Sequence, residues 1–429
     1  MVQAVRGMRD VLPVEARRWR HIETGVTSVL RRFGYEEVQL PLLEFTELFA
    51  SGVGEATDIV EKEMYTMQDR DGDSLSLRPE GTASCVRALQ EHGLLYNQTQ
   101  KVFYAGPMFR YEKPQKGRYR QFYQIGAEAF GFHGPDVDAE LILLGAEFWL
   151  ALGIHEHVRL ELNTLGSGAA RRAYREALVA YLTPLEAQLD ADSQRRLQSN
   201  PLRILDSKNE QTQEILSRAP KLPDFVDDDS QQHFARLLES LDALGIVYTC
   251  NPNLVRGLDY YTHTVFEWTT DDLGSQGTVC AGGRYNGLVE RLGGRATPAA
   301  GFALGLERAL LLHEVVHQDQ VSAAVDIYVC YGANELSLQA QQAGLRIRRA
   351  LGADGLADLN VRVHMGGGNF KKQLKRANAS GARWAVLLGN DEIEANQLTL
   401  KDLLSGEQET LTEGAAVQRI VADSLNNVG

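Results

Sequence analysis

A chain of 429 residues with a formal net charge of −13 is long enough for two or three domains, each with its own core. No apolar run reaches the length of a membrane span, and residues 1–7 lack the apolar stretch of a signal peptide, so we expect neither a membrane protein nor an exported one. The four cysteines are scattered without a Cys-x-x-Cys pair, which predicts neither a disulfide framework nor a zinc ribbon and favours a reducing cytoplasm.

The first 150 residues mix helical and strand patterns. Apolar residues at helical spacing, followed by Gly34, predict a first helix that ends just before this glycine. In chain order, the sequence predicts a helix over 15–33, a strand over 35–41, a strand over 73–77, a helix over 79–91 and a helix over 136–152.

Between the last two of these helices, the sequence predicts two antiparallel strands around a basic loop. Arg110 lies on the first strand, and the loop carries Lys113, Lys116, Arg118 and Arg120. Because side chains alternate across a strand, Gln124, Gly126 and Glu128 share one face of the second strand, and we expect the glycine to leave room for a ligand. A donor-rich loop beside a small polar pocket suits an anion and an amino acid together; a solvated hairpin is the alternative.

The predicted secondary structure changes to helix alone between residues 166 and 244. Strand patterns vanish, and a charged helical pattern is broken by prolines at 184, 201, 220 and 223. We interpret this segment as a helical insertion without obvious chemistry, which separates two halves of one catalytic sheet. Strand patterns return over 260–269 and 277–281, and residues 301–305 lead into a helix over 306–316.

A polar linker is predicted near 318–324, followed by strands alternating with helices. The predicted order is strand 325–331, helix 335–351, strand 361–365, helix 370–379 and strand 384–388. This alternation predicts a mostly parallel sheet covered on both faces. Residues 339–390 contain nine basic side chains against two acidic ones, a local charge of +7, which fits a selective nucleic-acid binder or a solvated helix face.

Several segments together resemble the bacterial histidyl-tRNA synthetases, which are class II aminoacyl-tRNA synthetases. The blocks around Arg110 and Arg308 resemble the class signatures, and residues 254–261 (Leu-Val-Arg-Gly-Leu-Asp-Tyr-Tyr) point to the histidine enzymes. Lys113 and Asn286 depart from the usual arginine and aspartate. Further matching segments are Arg6-Gly-Met-Arg-Asp10, Leu77-Arg-Pro-Glu-Gly-Thr-Ala83, Ala281-Gly-Gly-Arg-Tyr285 and Gly366-Gly-Gly-Asn-Phe-Lys-Lys372.

The resemblance implies a fold and an activity. It implies an α+β catalytic domain built on an antiparallel sheet over residues 1–324, with a helical insertion at about 169–245, and a C-terminal α/β anticodon-binding-type domain over 325–429. The implied enzyme activates L-histidine with ATP to histidyl-adenylate and pyrophosphate, and then transfers histidine to the 3′ end of tRNA(His). Mg²⁺ would accompany the ATP phosphates rather than occupy a protein-caged site, and no tightly bound cofactor is expected.

Three arginines are the catalytic residues that the resemblance implies. Arg110 is similar to the arginine that bridges the α-phosphate and the amino-acid carboxylate, and Arg256 to one on the opposite side of that phosphate. Arg308 is similar to the arginine at the γ-phosphate, and Arg118 also belongs to the implied ATP site. For any one of these arginines alone, a surface ion pair is the alternative.

The resemblance also implies a histidine pocket. Glu128 would accept an imidazole N–H together with Tyr261 and Tyr285, and a site that binds both ring nitrogens needs no editing domain. The remaining implied histidine-binding residues are Glu80, Thr82 and Gln124 at the α-amino group, Gly81 as a point of close backbone approach, Tyr260 as lining, and Arg110 and Arg256. Ordinary strand packing is the alternative for Tyr260 and Tyr261.

Two groups of residues are predicted to contact tRNA. Gln115, Lys116, Arg118 and Arg120 would lie over the acceptor end. Lys371, Lys372, Lys375 and Arg376 form like-charged i,i+4 pairs on a predicted helix after Gly366–Gly368, where an anion would offset their repulsion. Residues 35–49 resemble the class II dimer signature, so a two-fold homodimer is expected.

Two related functions compete with this interpretation. The histidine-sensing regulatory subunit of ATP phosphoribosyltransferase shares the fold, but it typically lacks the C-terminal tRNA domain and the intact motif of Arg256, Tyr260 and Tyr261. A class II synthetase for proline or threonine is disfavoured by Glu128 and by residues 254–261.

Overall fold

The computed structural model describes residues 2–54, 57–274, 277–318, 325–353, 355–356 and 359–426. The chain divides into two compact units, Met1–Gln318 and Asp319–Gly429. The linker predicted over 318–324 lies outside the described residues, apart from Gln318. No described helix combines the length and the apolar character that crossing a membrane requires.

The first unit combines ten α-helices with eleven strands among its described residues. Its helices are α1 Pro13–Arg32, α2 Thr46–Val53, α3 Thr82–Glu91, α4 Asp136–Ala151, α5 Gly168–Leu182, α6 Ala191–Ser199, α7 Glu210–Ser217, α8 Asp228–Ala243, α9 Leu288–Arg291 and α10 Leu306–Val316, with a π-helical turn at Ile59–Glu63. Its strands are β1 Glu36–Glu37, β2 Leu43–Phe45, β3 Tyr65–Gln68, β4 Ser74–Leu77, β5 Gln100–Phe109, β6 Gln121–Phe130, β7 Arg159–Thr164, β8 Tyr248–Cys250, β9 Thr262–Thr269, β10 Thr278–Arg284 and β11 Ala299–Gly305.

An eight-stranded sheet organises this unit, in the order β1-β5-β6-β11-β10-β9-β7-β8. The six central strands run antiparallel, and only the edge strands β1 and β8 pair in parallel. This is the predicted sheet, interrupted in sequence by the predicted insertion between β7 and β8. A separate three-stranded antiparallel sheet has the order β2-β4-β3.

One face of the large sheet forms the main core. Ile22, Val26 and Leu30 of α1 are fully buried, as are Phe148 and Trp149 of α4, and they form one cluster with the sheet and α10. Phe103, Ile125 and Ala127 point into the same cluster. Since side chains alternate along a strand, Tyr104, Gln124 and Glu128 are directed to the opposite face.

Several predicted elements of this unit are shorter in the structure, among them the strand predicted over 260–269, which begins only at Thr262 and so leaves out Tyr260 and Tyr261. The helix predicted over 79–91 begins at Thr82, because the Glu80 carboxylate accepts hydrogen bonds from the backbone N–H groups of Thr82 and Ala83 and so holds the start of α3. The strand predicted over 35–41 is reduced to Glu36 and Glu37 beside β5, followed by one hydrogen bond from the N–H of Val38 to the carbonyl oxygen of Phe103 at 2.8 Å.

The insertion is helical, as predicted. It contains α5 to α8 and three 3₁₀ helices, Thr183–Gln188, Pro201–Asp206 and Leu222–Phe225, each of which has a proline in its first turn. Proline suits this position because the first N–H groups of a helix have no intrahelical partner. Tyr174, Leu178 and Leu197 of the insertion belong to an apolar cluster that also contains Tyr104 of β5 and Phe130 of β6, so the insertion is packed against the rest of this unit.

The second unit is a small α/β domain. Its elements are β12 Ile327–Tyr331, α11 Ser337–Ala353, β13 Val361–Val363, α12 Phe370–Ala379, β14 Trp384–Leu388, α13 Asn390–Glu394, β15 Leu398–Asp402, β16 Gln408–Leu411 and α14 Glu413–Asn426, with a 3₁₀ turn at Asn334–Leu336. Its sheet has the order β13-β12-β14-β15-β16.

The predicted parallel sheet describes only part of this unit. β13, β12 and β14 are parallel, but β15 and β16 extend the sheet in antiparallel fashion. The prediction missed these two strands. Apolar clusters lie on both faces of the sheet, one against α11 and the other against α12, so the prediction that both faces are covered is confirmed.

Candidate active site

A cavity of about 690 Å³ opens on the face of the large sheet that is turned away from α1 and α4, and the first turn of α10 contributes to its edge. Strands β6, β10 and β11, the residues before α3, the segment 256–261 and the helical insertion all contribute to its wall. Among the lining side chains are Glu80, Thr82, Tyr104, Arg110, Arg118, Gln124, Arg256, Tyr260, Tyr261 and Arg308.

Arg110 lies directly after β5, and its Nη1 is 4.0 Å from Oε1 of Glu112, a distant ion pair. Its Nε donates a hydrogen bond to the carbonyl oxygen of Pro79 at 2.8 Å, and its guanidinium lies 5.1 Å from the centre of the Phe122 ring. Burial lowers the pKa of Arg110, but an arginine starts from so high a value that it stays charged. The result is a cation held at the cavity wall.

Arg256 is held by an acidic partner. Its Nη1 donates to Glu267, whose other oxygen accepts a hydrogen bond from the Thr278 hydroxyl at 3.0 Å. Burial acts to lower the pKa of Arg256, but Glu267 and the hydroxyls of Tyr261 and Tyr260 together outweigh burial, and the pKa is raised. The guanidinium also lies 5.8 Å from the ring of Tyr261, so Arg256 and this tyrosine form one wall.

Arg308 is in the first turn of α10. Its Nη1 donates to the carbonyl oxygen of Thr278 at 2.7 Å, and Arg118, paired with Glu112, lies near it. Burial and the positive charges of Arg118 and Arg110 lower the pKa of Arg308. Crowded cations at one end of a cavity suit a polyanion such as a triphosphate.

Glu128 lies behind the cavity wall rather than in it. Its Oε1 accepts hydrogen bonds from the hydroxyls of Thr82 at 2.8 Å and Tyr104 at 3.1 Å, and its Oε2 accepts one from the Tyr285 hydroxyl. The residue is 1% exposed. Burial raises the pKa of Glu128 to about 8, although the three hydroxyl donors oppose the shift. Contact between this carboxylate and an imidazole stays a prediction.

The space over Gly126 is filled by a tyrosine. A Cβ atom on Gly126 or on Gly81 would overlap with the ring of Tyr104, which lies between the two glycines. The expectation that Gly126 leaves room for a ligand is therefore wrong. Tyr104 itself was missed, although it pairs with Gly126 in the register of β5 and β6, where a large residue opposite a glycine is a readable signal.

The residues proposed for the amino group differ in how they are held. Both oxygens of Glu80 accept backbone N–H groups, from Thr82 and Ala83, each at 2.8 Å, and burial raises the pKa of this carboxyl. Gln124 is different, because its buried Oε1 has no hydrogen-bond partner among the described residues and the side chain lines the cavity. It is the better placed of the two to accept a ligand N–H.

Three tyrosines pack as a group beside these residues. The rings of Tyr260 and Tyr261 are 4.7 Å apart, and that of Tyr285 is 5.4 Å from Tyr260. Burial raises the pKa of Tyr261 to about 12, so its hydroxyl is neutral and can donate a hydrogen bond. Tyr260 and Tyr261 line the cavity, whereas Tyr285 lies behind its wall, where its hydroxyl donates to Glu128.

The helical insertion contributes to the cavity, contrary to the expectation that it has no obvious chemistry. The lining residues from α6 and the 3₁₀ helix that follows it are Asp192, Arg195, Arg196, Ser199, Asn200 and Arg203. Arg203 lies close to Gly257, the neighbour of Arg256. A Cβ atom added to Gly257 would be 3.3 Å from Nη1 of Arg203. No motif in the sequence marks these residues, since only the tertiary fold brings α6 over the sheet.

The residues predicted to contact tRNA are mostly on the surface. Gln115, Lys116 and Arg118 are exposed, whereas Arg120 stacks on the Tyr111 ring at 3.6 Å. In the second unit, Lys371, Lys372, Lys375 and Arg376 are exposed on α12. The side chain of Asn369 caps this helix by accepting the N–H of Lys372 at 3.0 Å, and Gly366, Gly367 and Gly368 before it all have positive φ.

An antiparallel catalytic sheet, a cavity lined by arginines from separate segments and an appended α/β domain define a class II aminoacyl-tRNA synthetase. Residues 7–309 match the family model for histidyl-tRNA synthetase, and residues 326–423 match the model for an anticodon-binding domain. The chain therefore belongs to the histidyl-tRNA synthetase family and is an aminoacyl-tRNA ligase.

One solved structure supports this assignment, and two others share the fold. The apo histidyl-tRNA synthetase of S. aureus is 34% identical, with a TM-score of 0.78, and the match covers 98% of this chain and 100% of that one. The histidyl-tRNA synthetase of Nostoc sp. PCC 7120 shares the fold at 18% identity and a TM-score of 0.72, over 97% of this chain and 98% of that one. An ATP phosphoribosyltransferase regulatory subunit/histidyl-tRNA synthetase of Bacillus halodurans shares it at 22% identity and a TM-score of 0.63, over 91% and 99%.

Proposed function

We propose that the protein is a histidine–tRNA ligase that forms histidyl-adenylate and pyrophosphate from L-histidine and ATP and then esterifies the 3′ end of tRNA(His). The observation that carries the proposal is the convergence of Arg110, Arg256 and Arg308 on one cavity. Attack of a carboxylate on the α-phosphorus increases the negative charge on the phosphate oxygens, and cations already in place stabilise that charge.

The contacts of each arginine suit a separate role. Arg110, held by Pro79 and Phe122, bridges the α-phosphate and the histidine carboxylate, since a guanidinium can bind two anions at once. Arg256, anchored by Glu267, stabilises the opposite side of the α-phosphate. Arg308, with Arg118 near it, binds the γ-phosphate end of ATP.

The histidine side chain binds near the tyrosines and Glu128 in this proposal. An imidazole N–H donated to Glu128 must replace or share one of the three hydroxyl donors, and the hydroxyl of Tyr261 contacts the other ring nitrogen. The α-amino group binds Gln124 and Thr82, close to Glu80, with Tyr260 lining the pocket. Gly81, next to Glu80, is the proposed point of close backbone approach, although the ring of Tyr104 packs against it. An amino acid without the imidazole would leave buried polar groups unpaired, which accounts for selectivity.

Mg²⁺ would reach the site as the ATP complex. In the described part of the chain, no group of three or more His, Cys, Asp or Glu side chains could hold a metal ion. An ion bound mainly by phosphate oxygens needs no such group. The carboxylates of Glu112 and Glu267 are ion-paired with the cavity arginines Arg118 and Arg256.

We propose that the catalytic domain spans residues 1–324 and the anticodon-binding domain residues 325–429. The loop 113–120 would contact the acceptor end of the tRNA, and the second domain would contact the anticodon. The exposed cations of α12 and the left-handed glycines before it support a phosphate contact there. Within the described residues the four cysteines are free thiols, which suits the reducing cytoplasm that we propose as the compartment.

The exposed apolar face of the small sheet β2-β4-β3 supports the proposal of a homodimer. Leu43, Phe45 and Met67 are 42%, 61% and 43% exposed, and they share one face of this sheet with Tyr65, Leu75 and Leu77. The polar residues Glu44, Thr66 and Ser76 alternate onto the other face. Apolar patches of this kind mark protein interfaces, and a two-fold contact would cover the patch on both copies at once.

The function is tested by ATP–pyrophosphate exchange with each of the twenty amino acids. Exchange with histidine alone, followed by charging of tRNA(His), is the expected result. Exchange with another amino acid would contradict the substrate. Histidine binding without exchange would instead favour a sensing role, the alternative represented by the regulatory subunits of ATP phosphoribosyltransferase.

A further inference from the structure

Arg171, in the first turns of α5, joins the helical insertion to the active-site segment 256–261. Its Nη1 donates to the backbone carbonyl oxygens of Asp259 at 2.7 Å and Tyr261 at 3.2 Å, and its Nη2 donates to Oδ1 of Asp259 at 3.2 Å. The side chain is only 18% exposed. One guanidinium thus binds three acceptors on a segment whose other residues line the cavity.

Asp259 receives further contacts from both sides. Its Oδ1 also accepts a hydrogen bond from Nδ2 of Asn200, at the end of α6 in the insertion, at 3.3 Å. Its backbone N–H donates to the carbonyl oxygen of Val53, at the end of α2, at 3.3 Å, and the side chain packs against Gly54, whose φ is +108°. The segment is therefore fixed between α2 on one side and the insertion on the other.

The segment needs such contacts because its backbone is irregular. It belongs to neither a helix nor a strand until β9 begins at Thr262. Yet it carries Arg256, which is paired with Glu267, and the stacked rings of Tyr260 and Tyr261. A displacement of about 1 Å in such groups can reduce a reaction rate by a factor of about 100.

We propose that Arg171 is a positioning residue for amino-acid activation, through which the docked insertion sets the place of Arg256, Tyr260 and Tyr261. It acts through the backbone of the segment and does not itself contact substrate. The inference rests on the proposed function, since the reaction that it supports is histidyl-adenylate formation.

The kinetic test uses Arg171→Gln, Arg171→Lys and Arg171→Ala in the full-length protein. Arg171→Gln should reduce kcat for histidine-dependent pyrophosphate exchange by about 10- to 100-fold and raise the KM for histidine, since both Arg256 and Tyr261 lose their position. Arg171→Lys should retain more activity, because it keeps the charge but loses the planar fork. Millimolar guanidinium chloride, but not equal sodium chloride, should restore part of the activity of Arg171→Ala.

The matched control is Arg172→Gln, which changes an exposed arginine on the same helix. It should leave exchange within twofold of the unsubstituted protein. A folded Arg171→Gln protein with unchanged kcat/KM would overturn the proposal. The proposal would also be overturned if the loss of activity in the Arg171 variants matched the fraction of unfolded protein and if guanidinium did not restore the activity of Arg171→Ala.

A second measurement does not depend on activity. Hydrogen–deuterium exchange of the peptide over 254–263 should be faster in Arg171→Gln than in Arg172→Gln, with exchange in α4 unchanged. Equal protection of this peptide in both variants would overturn the positioning role. If the unsubstituted protein catalyses no histidine-dependent exchange, the proposed function fails, while the hydrogen-exchange result still decides whether Arg171 fixes the segment.

Discussion

The carboxylate of Glu128 is buried among three hydroxyl groups, and this environment has a consequence for stability. Burial raises its pKa to about 8, far above the value of an unfolded chain. In the window between these two values the native state binds a proton that the unfolded state does not. The stabilisation from this proton is complete below the unfolded pKa and is lost as the pH rises through about 8.

Replacing Glu128 by glutamine removes this titration while keeping the shape of the side chain. We expect the melting temperature of Glu128→Gln, relative to the unsubstituted protein, to be higher at pH 9 than at pH 5 by at least about 3 °C. Thermal unfolding at the two pH values measures the difference. Glu290→Gln, at an exposed position of α9, is the control and should show no such trend. A difference independent of pH would show that the Glu128 carboxyl is not protonated in the folded protein near neutral pH.

Substitution of Arg256 separates its proposed catalytic role from the binding of histidine. Arg256→Ala should reduce histidine-dependent pyrophosphate exchange by about 10²- to 10³-fold, because a fixed cation at the α-phosphate is lost. Histidine binding, measured by calorimetry, should survive in part, since the tyrosines and Gln124 remain. Arg175→Ala, at an exposed site on α5, serves as the control. Exchange by Arg256→Ala at a near-normal rate would refute the catalytic role.

At the scale of elements, the small sheet β2-β4-β3 has one polar and one apolar face, and this asymmetry is testable. Phe45→Glu places a charge within the apolar face and should weaken dimerisation by about 10- to 100-fold. Sedimentation velocity over a concentration series would detect the shift towards monomer. Val247→Glu changes an apolar residue that is 87% exposed elsewhere and should have no effect. Equal association of the two variants would remove the small sheet from the interface.

The elements that the sequence predicted best are those with a strong local signal. α12 and β14 have the predicted limits, Phe370–Ala379 and Trp384–Leu388, because Asn369 marks the helix start and the strand is continuously apolar. β16, Gln-Glu-Thr-Leu, was missed because it has little apolar alternation and is largely exposed, whereas β15, Leu-Thr-Leu-Lys-Asp, has a short alternation that the prediction overlooked. An edge strand of this kind is defined by its pairing rather than by its composition.

The same reasoning explains which site residues were predicted. Arg110, Arg256 and Arg308 occur in recognisable motifs, and the structure places all three around one cavity. Tyr104 and Arg203 occur in no such motif, and their positions depend on sheet register and on how the insertion packs. Contacts between distant segments cannot be read from local patterns, so this part of the site required the structure.

At the scale of the whole molecule, charge is distributed unevenly along the sequence. The chain carries a net charge of −13, while residues 339–390 carry nine basic against two acidic side chains. An acidic body repels a polyanion except where the local potential is positive, so the second unit should supply much of the attraction for tRNA.

Removal of the residues beyond Ala323 tests whether the second unit binds tRNA while the first unit alone activates the amino acid. The first unit has its own core, so the truncated protein should still catalyse histidine-dependent pyrophosphate exchange within a few-fold of the full chain. Charging of tRNA(His) at limiting tRNA should fall by at least about 100-fold. Circular dichroism checks that the shortened chain is folded. Undiminished charging by the truncated form would show that the second unit does not bind tRNA.

The ring of Tyr104, packed between Gly81 and Gly126 while its hydroxyl binds Glu128, limits how this enzyme could be engineered. Neither glycine can accept a larger residue without displacing the ring, so neither offers a route to reshaping the proposed amino-acid pocket. A variant that accepts bulkier histidine analogues would have to start by shortening Tyr104. It would also have to supply a new donor to Glu128, because the smaller side chain would leave this carboxylate with one hydroxyl fewer.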